Sequence, residues 1–233
     1  MNNEGFQNSD DTLVTCFFDG AAVPGRSGPE TSKTSVNRTC GVCTAATSVV
    51  LRLGSRRISL LAGDGFVMGR QRNCDIVPPL PQKGDETARC RFLKVSRRHC
   101  MLFRGDAGWC VKDGEGCRRS SFGTWWRGEP VVGVASIGIE PGVLSVGGPS
   151  VTDSVSFDVR SIGLSLVLSS RPDAKEMHVL LCGEALLETV DASLAGLWIR
   201  FSDGKVRWRR GCQTGVLVPG TRVSGVTGDF WVE

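Results

Sequence analysis

No stretch of this sequence approaches the roughly 18 to 20 consecutive apolar residues that a membrane-spanning helix requires, so no membrane partner is expected. Nor does the start, MNNEGFQNSDDTLV, have the positive opening and apolar run of an export signal; the chain is read as cytoplasmic. Histidine is scarce, with 2 in 233 residues, and no H-E-x-x-H occurs. There is no G-x-S-x-G elbow, no Walker loop ending in Lys-Ser or Lys-Thr, and no cysteine with a credible histidine base. Catalysis is therefore not expected and no cofactor is implied. Ten cysteines fall well below the density of small disulfide scaffolds, and most are expected to be buried thiols. The one close pair, Cys40-x-x-Cys43 with Cys16 upstream, supplies half of the four ligands that a structural zinc takes. It reads as chance spacing, and no metal site is assigned.

What is abundant is glycine, 30 residues, set between short runs of valine, isoleucine, leucine and serine. That is the punctuation of many turns between many short strands, and it implies an all-β fold. The net charge of +4 is unevenly spread. Residues 51–130 hold 16 Lys and Arg against 8 Asp and Glu, a local +8, while the segments on either side each carry −2. A basic segment of this kind serves an anionic ligand, either nucleic acid or a phosphorylated peptide.

Along the chain, residues 1–48 are rich in Asn, Ser, Thr, Gly and Asp without sustained periodicity, and are expected to be a flexible leader. From Val49 apolar runs alternate with turn chemistry, as in RISLLAGDGFVMGR, and the pattern predicts a sandwich domain over 49–162. Within it CMLFR and GWCVKD predict a hairpin across Gly105-Asp106-Ala107, with Trp109 and Val111 on one face. Residues 163–233 read as a smaller β-rich region, with a strong hairpin signal in IRFSDGKVRWR, where Asp-Gly separates two alternating runs. Faint echoes, such as GLWIRFSDG against AGWCVKDGEG, suggest a degenerate repeat. One segment looks helical, Glu184 to Leu194, and a pair of strands fits it nearly as well.

Three signals then stand in order: FVMGR ending at Arg70, VSRRHC over 95–100, and SSFGTWWRG over 120–128. Together they resemble the core of a forkhead-associated (FHA) domain of the bacterial type, an antiparallel β-sandwich that reads phosphothreonine. The resemblance implies a non-catalytic adaptor in signal transduction, binding a phosphothreonine-containing protein or peptide made by a Ser/Thr kinase; nucleic acid is disfavoured. It gives Arg70 and Ser96 the phosphate contacts, with Arg97 and Ser121 assisting. His99 is implied to brace the loops by hydrogen bonding, alongside Gly69, Gly123, Thr124 and, in the following tight turn, Gly128. The chemistry suits the residue types. A phosphothreonine carries nearly two negative charges and three acceptor oxygens, and an arginine is always charged and engages two of them at once.

The sequence departs from the family pattern in three places. Phe122 stands where the family has an asparagine that fixes the peptide backbone, and Arg127 replaces a second asparagine that orders the next turn. Between Ile76 and Ser96 lies a long insertion, Val77 to Val95, expected to hang over the binding edge and to offer Lys83, Arg89, Arg91 and Lys94 to a partner. The first two departures sustain the alternative of a degenerate scaffold that binds a protein without phosphate. A nucleic-acid-binding β domain, drawing on Trp125 and Trp126 as stacking groups, is the weaker alternative, because neighbouring strand positions face opposite ways and at least one of the two belongs to the core.

Overall fold

Three apolar runs, ISLLA, SLVLS and HVLL, carry no polar alternation and are the mark of strands covered on both faces. A computed structural model describes residues 47–172, 175–182, 184–224 and 229–233, all within one unit, Cys43–Glu233. It places those runs at the centre of a ten-stranded sheet. Of the leader expected over 1–48, residues 1–46, with Cys16, Cys40 and Cys43, lie outside the described residues, and Thr47 and Ser48 open the first strand.

The strands are β1 (Thr47–Leu53), β2 (Arg56–Ala62), β3 (Gly65–Met68), β4 (Cys100–Gly105), β5 (Gly108–Asp113), β6 (Thr124–Trp126), β7 (Glu129–Pro130), β8 (Val134–Ile137) and β9 (Gly142–Val146). They continue with β10 (Val155–Ile162), β11 (Ser165–Ser170), β12 (Glu176–Leu181), β13 (Glu184–Leu186), β14 (Leu197–Ser202), β15 (Lys205–Arg210), β16 (Gln213–Val216), β17 (Arg222–Ser224) and β18 (Asp229–Val232). The large sheet runs β17-β18-β1-β2-β12-β11-β10-β9-β6-β7, and two four-stranded sheets run β3-β4-β5-β8 and β13-β14-β15-β16. Between the named strands pairing is antiparallel, except where β12 lies parallel to β2, Val179 opposite Leu60.

Because side chains alternate along a strand, the central strands feed two cores. Leu61, Leu166, Leu168 and Leu180 point into the first, with Phe66, Leu102, Trp109 and Val111 from the β3-β4-β5-β8 sheet. Their neighbours Leu60, Val167, Val179 and Leu181 point into the second, with Leu197, Ile199 and Val206 from the β13 to β16 sheet. The structure is a β-sandwich with a further layer on its other face.

Both expected hairpins form. Trp109 and Val111 of β5 are buried in the first core, and β14 meets β15 across Asp203 and Gly204, both at positive φ. The expected boundary at Ile162 does not interrupt the sheet, since β10 and β11 on either side of it are paired neighbours, Ile162 opposite Ser165. Residues 184–194 form β13 and two 3-10 turns, Leu187–Thr189 and Ala192–Leu194. The α-helix lies instead in the insertion, as α1 (Glu86–Lys94), capped by Asp85, whose Oδ1 accepts the Ala88 N–H at 2.8 Å. The thiols also differ from expectation: Cys74 and Cys100 are buried, but Cys90 and Cys212 are exposed, and Cys117 is disulfide-bonded. Among the described residues no helix is long and apolar enough to cross a membrane.

Candidate functional site

The registers Met68 opposite Cys100 and Cys100 opposite Asp113 align the end of β3, the start of β4 and the end of β5 at one end of the four-stranded sheet. The segments that leave this end are 69–75, 95–99 and 114–123, and each of the three sequence signals lies at least in part on one of them. Gly69 is required here by contact. A Cβ added to it would lie 2.2 Å from the carbonyl oxygen of Arg97, so only glycine lets the first two loops touch. The touching is cemented by backbone bonds: the Arg70 N–H donates to Ser96 O and the Gln71 N–H to Arg97 O, each at 3.1 Å.

His99 ties these two loops to the third. It is fully buried, its Nδ1 accepts the Ser96 N–H at 2.9 Å, and its Nε2 stands 2.8 Å from Gly123 O. With Nδ1 accepting, the ring is the neutral tautomer that donates from Nε2. Burial lowers its pKa, opposed by the Gly123 carbonyl and by Asp113. Both ring nitrogens are therefore committed to the loops, and among the described residues no group of three or more His, Cys, Asp or Glu could hold a metal.

The third loop is secured from beneath by Asp113, a residue that the sequence reading passed over. Its Oδ1 accepts from Ser120 Oγ and from the buried Thr124 Oγ1, each at 2.6 Å. Ser120 Oγ in turn accepts the Gly123 N–H at 2.8 Å. An acid closing a strand ahead of Gly114 is the sequence signal of this support, but its partners lie in another loop. Ser96 Oγ accepts the Ser121 N–H at 3.0 Å, which leaves the Ser96 hydroxyl hydrogen free to donate.

Arg70, Arg97, Ser121 and Phe122 are exposed at this end, and neither the Arg70 nor the Arg97 side chain has an ion pair or hydrogen bond among the described residues. Arg98 behaves differently: its guanidinium grips Glu115 with two bonds, Nη2 to Oε1 at 2.5 Å, which takes it away from any ligand. Arg118 and Arg119, also exposed, lead into Ser120 and add to the positive character of this end. The arrangement thus presents two free guanidiniums and a hydroxyl hydrogen above a cross-braced base, a set of donors that suits a dianionic tetrahedral group.

Gly128 is apart from these loops. It lies beyond the far end of β6 in the two-residue turn to β7, where Arg127 (φ 55°) and Gly128 (φ 86°) are both left-handed. The Arg127 side chain reaches Glu140 at 2.9 Å and Pro141 O at 3.2 Å. Of the two tryptophans, Trp126 enters the first core and Trp125 is half-buried against Gly123.

The family model of the FHA domain matches residues 66–144, from β3 to β9, a span that contains every loop just described. No curated protein matches the sequence. Among solved structures, the crystal structure of Mycobacterium tuberculosis Rv1747 FHA-1 is similar to this chain with a TM-score of 0.31 and 20% identity, covering 49% of this chain and 95% of that one.

Proposed function

Residues 66–144 are a forkhead-associated domain, a family of phosphothreonine-binding signalling modules and not of enzymes, and from that premise we propose that this chain is a non-catalytic cytoplasmic adaptor. Its ligand is a phosphothreonine-containing protein, the product of a Ser/Thr kinase. Arg70 and Ser96 make the principal phosphate contacts, Arg97 and Ser121 add donors, and Gly69, His99, Gly123 and Thr124 hold the loops in place. Gly128 serves the next turn. The observation that carries this reading is the state of Arg70. Its backbone is pinned to Ser96 at 3.1 Å while its side chain is exposed, and the Ser96 hydroxyl, which accepts the Ser121 N–H, has a hydrogen to give. Such preorganisation reduces the ordering that binding otherwise requires.

Each charge-assisted hydrogen bond contributes roughly 1.5–3 kcal/mol. Calorimetric titration of the chain with a degenerate phosphothreonine peptide library is expected to give micromolar affinity, about −8 kcal/mol, with no heat from the unphosphorylated library. Arg70→Ala is expected to cost about 2 kcal/mol, roughly thirty-fold in affinity. Equal binding of the two libraries overturns the reading. It would favour a scaffold that docks a protein without phosphate, the alternative supported by Phe122, which is 52% exposed where a polar anchor stands in the family.

A further inference from the structure

The face of the large sheet that sends Leu61 and Leu180 into the first core continues outward as a polar surface. Registers place Val50 opposite Ser59, Ser59 opposite His178, and Arg57 opposite Glu176 on that face. Together with Asp75 and Val77, from the segment after β3, these side chains line a cavity of about 210 Å³. Its lining includes none of Arg70, Ser96 and Ser121, although Asp75 ends the 69–75 segment that carries Arg70.

His178 is the anomaly there. It is 7% exposed, and neither ring nitrogen has a hydrogen-bond partner among the described residues, although burying such groups unpaired costs about 1–3 kcal/mol. Phe157 packs edge-on against the ring, centroids 6.5 Å apart. Burial, with Arg57 nearby, brings its pKa down to about 4, so at neutral pH the imidazole offers one acceptor and one donor. The charged side chains of the lining are Arg57, Asp75 and Glu176, one positive and two negative. Arg57 is held by Glu233, Nε to Oε2 at 3.3 Å, whereas Glu176 has no ion pair among the described residues. Asp75 spends only Oδ2, on the Val67 N–H at 2.7 Å. Val50, Leu61 and Val77 give the cavity an apolar wall.

We propose that this cavity binds a primary alkylammonium group, its N–H bonds directed to the His178 imidazole and to the Glu176 and Asp75 carboxylates, its carbons against Val50, Leu61 and Val77. A free small amine and a lysine side chain of a partner polypeptide present the same group.

The test follows the His178 ring nitrogens by ¹⁵N NMR in the full chain at pH 7. Titration with n-butylammonium is expected to shift them saturably, and n-butanol of the same chain length is expected to be at least tenfold weaker. Glu176→Gln is expected to weaken n-butylammonium at least tenfold with an unchanged melting temperature, and Val50→Phe, which fills the cavity, to abolish the shift. Tighter binding of Nα-acetyl-lysine N-methylamide than of n-butylammonium assigns the site to a polypeptide lysine, and weaker binding assigns it to a free amine. Absence of a saturable shift, an equal response to n-butanol, or undiminished affinity in Glu176→Gln overturns the proposal.

Discussion

Phe122 stands between Ser121 and Gly123 at the rim of the three loops, and a phenyl ring offers no hydrogen bond to an extended peptide. Its exposure means that nothing in the core depends on it. Phe122→Asn is therefore expected to leave the melting temperature unchanged and to raise affinity for a phosphothreonine peptide by roughly three- to tenfold, the worth of about one net hydrogen bond; calorimetry on the two proteins decides it. At Gly69 the expectation is the reverse. A methyl group 2.2 Å from Arg97 O must force the loops apart, so Gly69→Ala is expected to lose most phosphopeptide binding along with stability, read by titration and thermal melting together. The meeting of Gly69, Ser96 and Gly123 at one end of the sheet was legible through the resemblance, which set the three signals on neighbouring loops. Asp113 was not legible, since its two hydroxyl partners, Ser120 and Thr124, reach it only when the end of β5 meets the third loop.

Among the elements, α1 shows where local text misleads. PPLPQKGDETARCRFLK opens with prolines, and its helical part buries no residue, so it lacks the apolar stripe by which a helix is ordinarily detected. What starts it is the Asp85 cap; what tethers its end is Lys94, whose Nζ donates to Asp153 O at 3.3 Å. Asp85→Ala is expected to weaken the helix by about 1 kcal/mol, seen as roughly fivefold faster amide exchange over residues 86–94. Global unfolding should not move, because the helix adds nothing to either core. Hairpins were read correctly for the opposite reason: Asp203-Gly204 is a short-range signal, complete within a few residues. The parallel contact of β2 with β12 had no such signal, since it joins segments distant in sequence through uniformly apolar text that fits several registers.

For the molecule as a whole, the layering makes residues 163–181 structural. A fragment ending at Ile162 lacks β11 and β12, and with them Leu166, Leu168 and Leu180 of the first core. It is expected to show no cooperative melting; a sharp transition near that of the full chain would support a separate domain over 49–162. Stability should also depend on pH in a defined direction. Both His99 and His178 have pKa values lowered by burial, the latter to about 4. Below about 6.5, the value of an unperturbed histidine, the unfolded chain therefore takes up protons that the folded chain refuses. The contribution of the two histidines is complete above that pH and declines as pH falls toward 4. Urea unfolding at pH 7.5, 6 and 5 should show the decline, and His178→Leu should flatten it.

The pairing of Leu51 with Val232 and of Leu60 with Val179 bears on how the chain is made. On the ribosome β1 and β2 emerge early, yet their outer neighbours arrive only after more than a hundred further residues have been synthesised, on the order of ten seconds or more at ordinary elongation rates. Through that interval an apolar two-stranded ribbon has two unpaired edges. Yield in cells should consequently depend on whatever shields nascent strands, far more than the stability of the finished fold suggests.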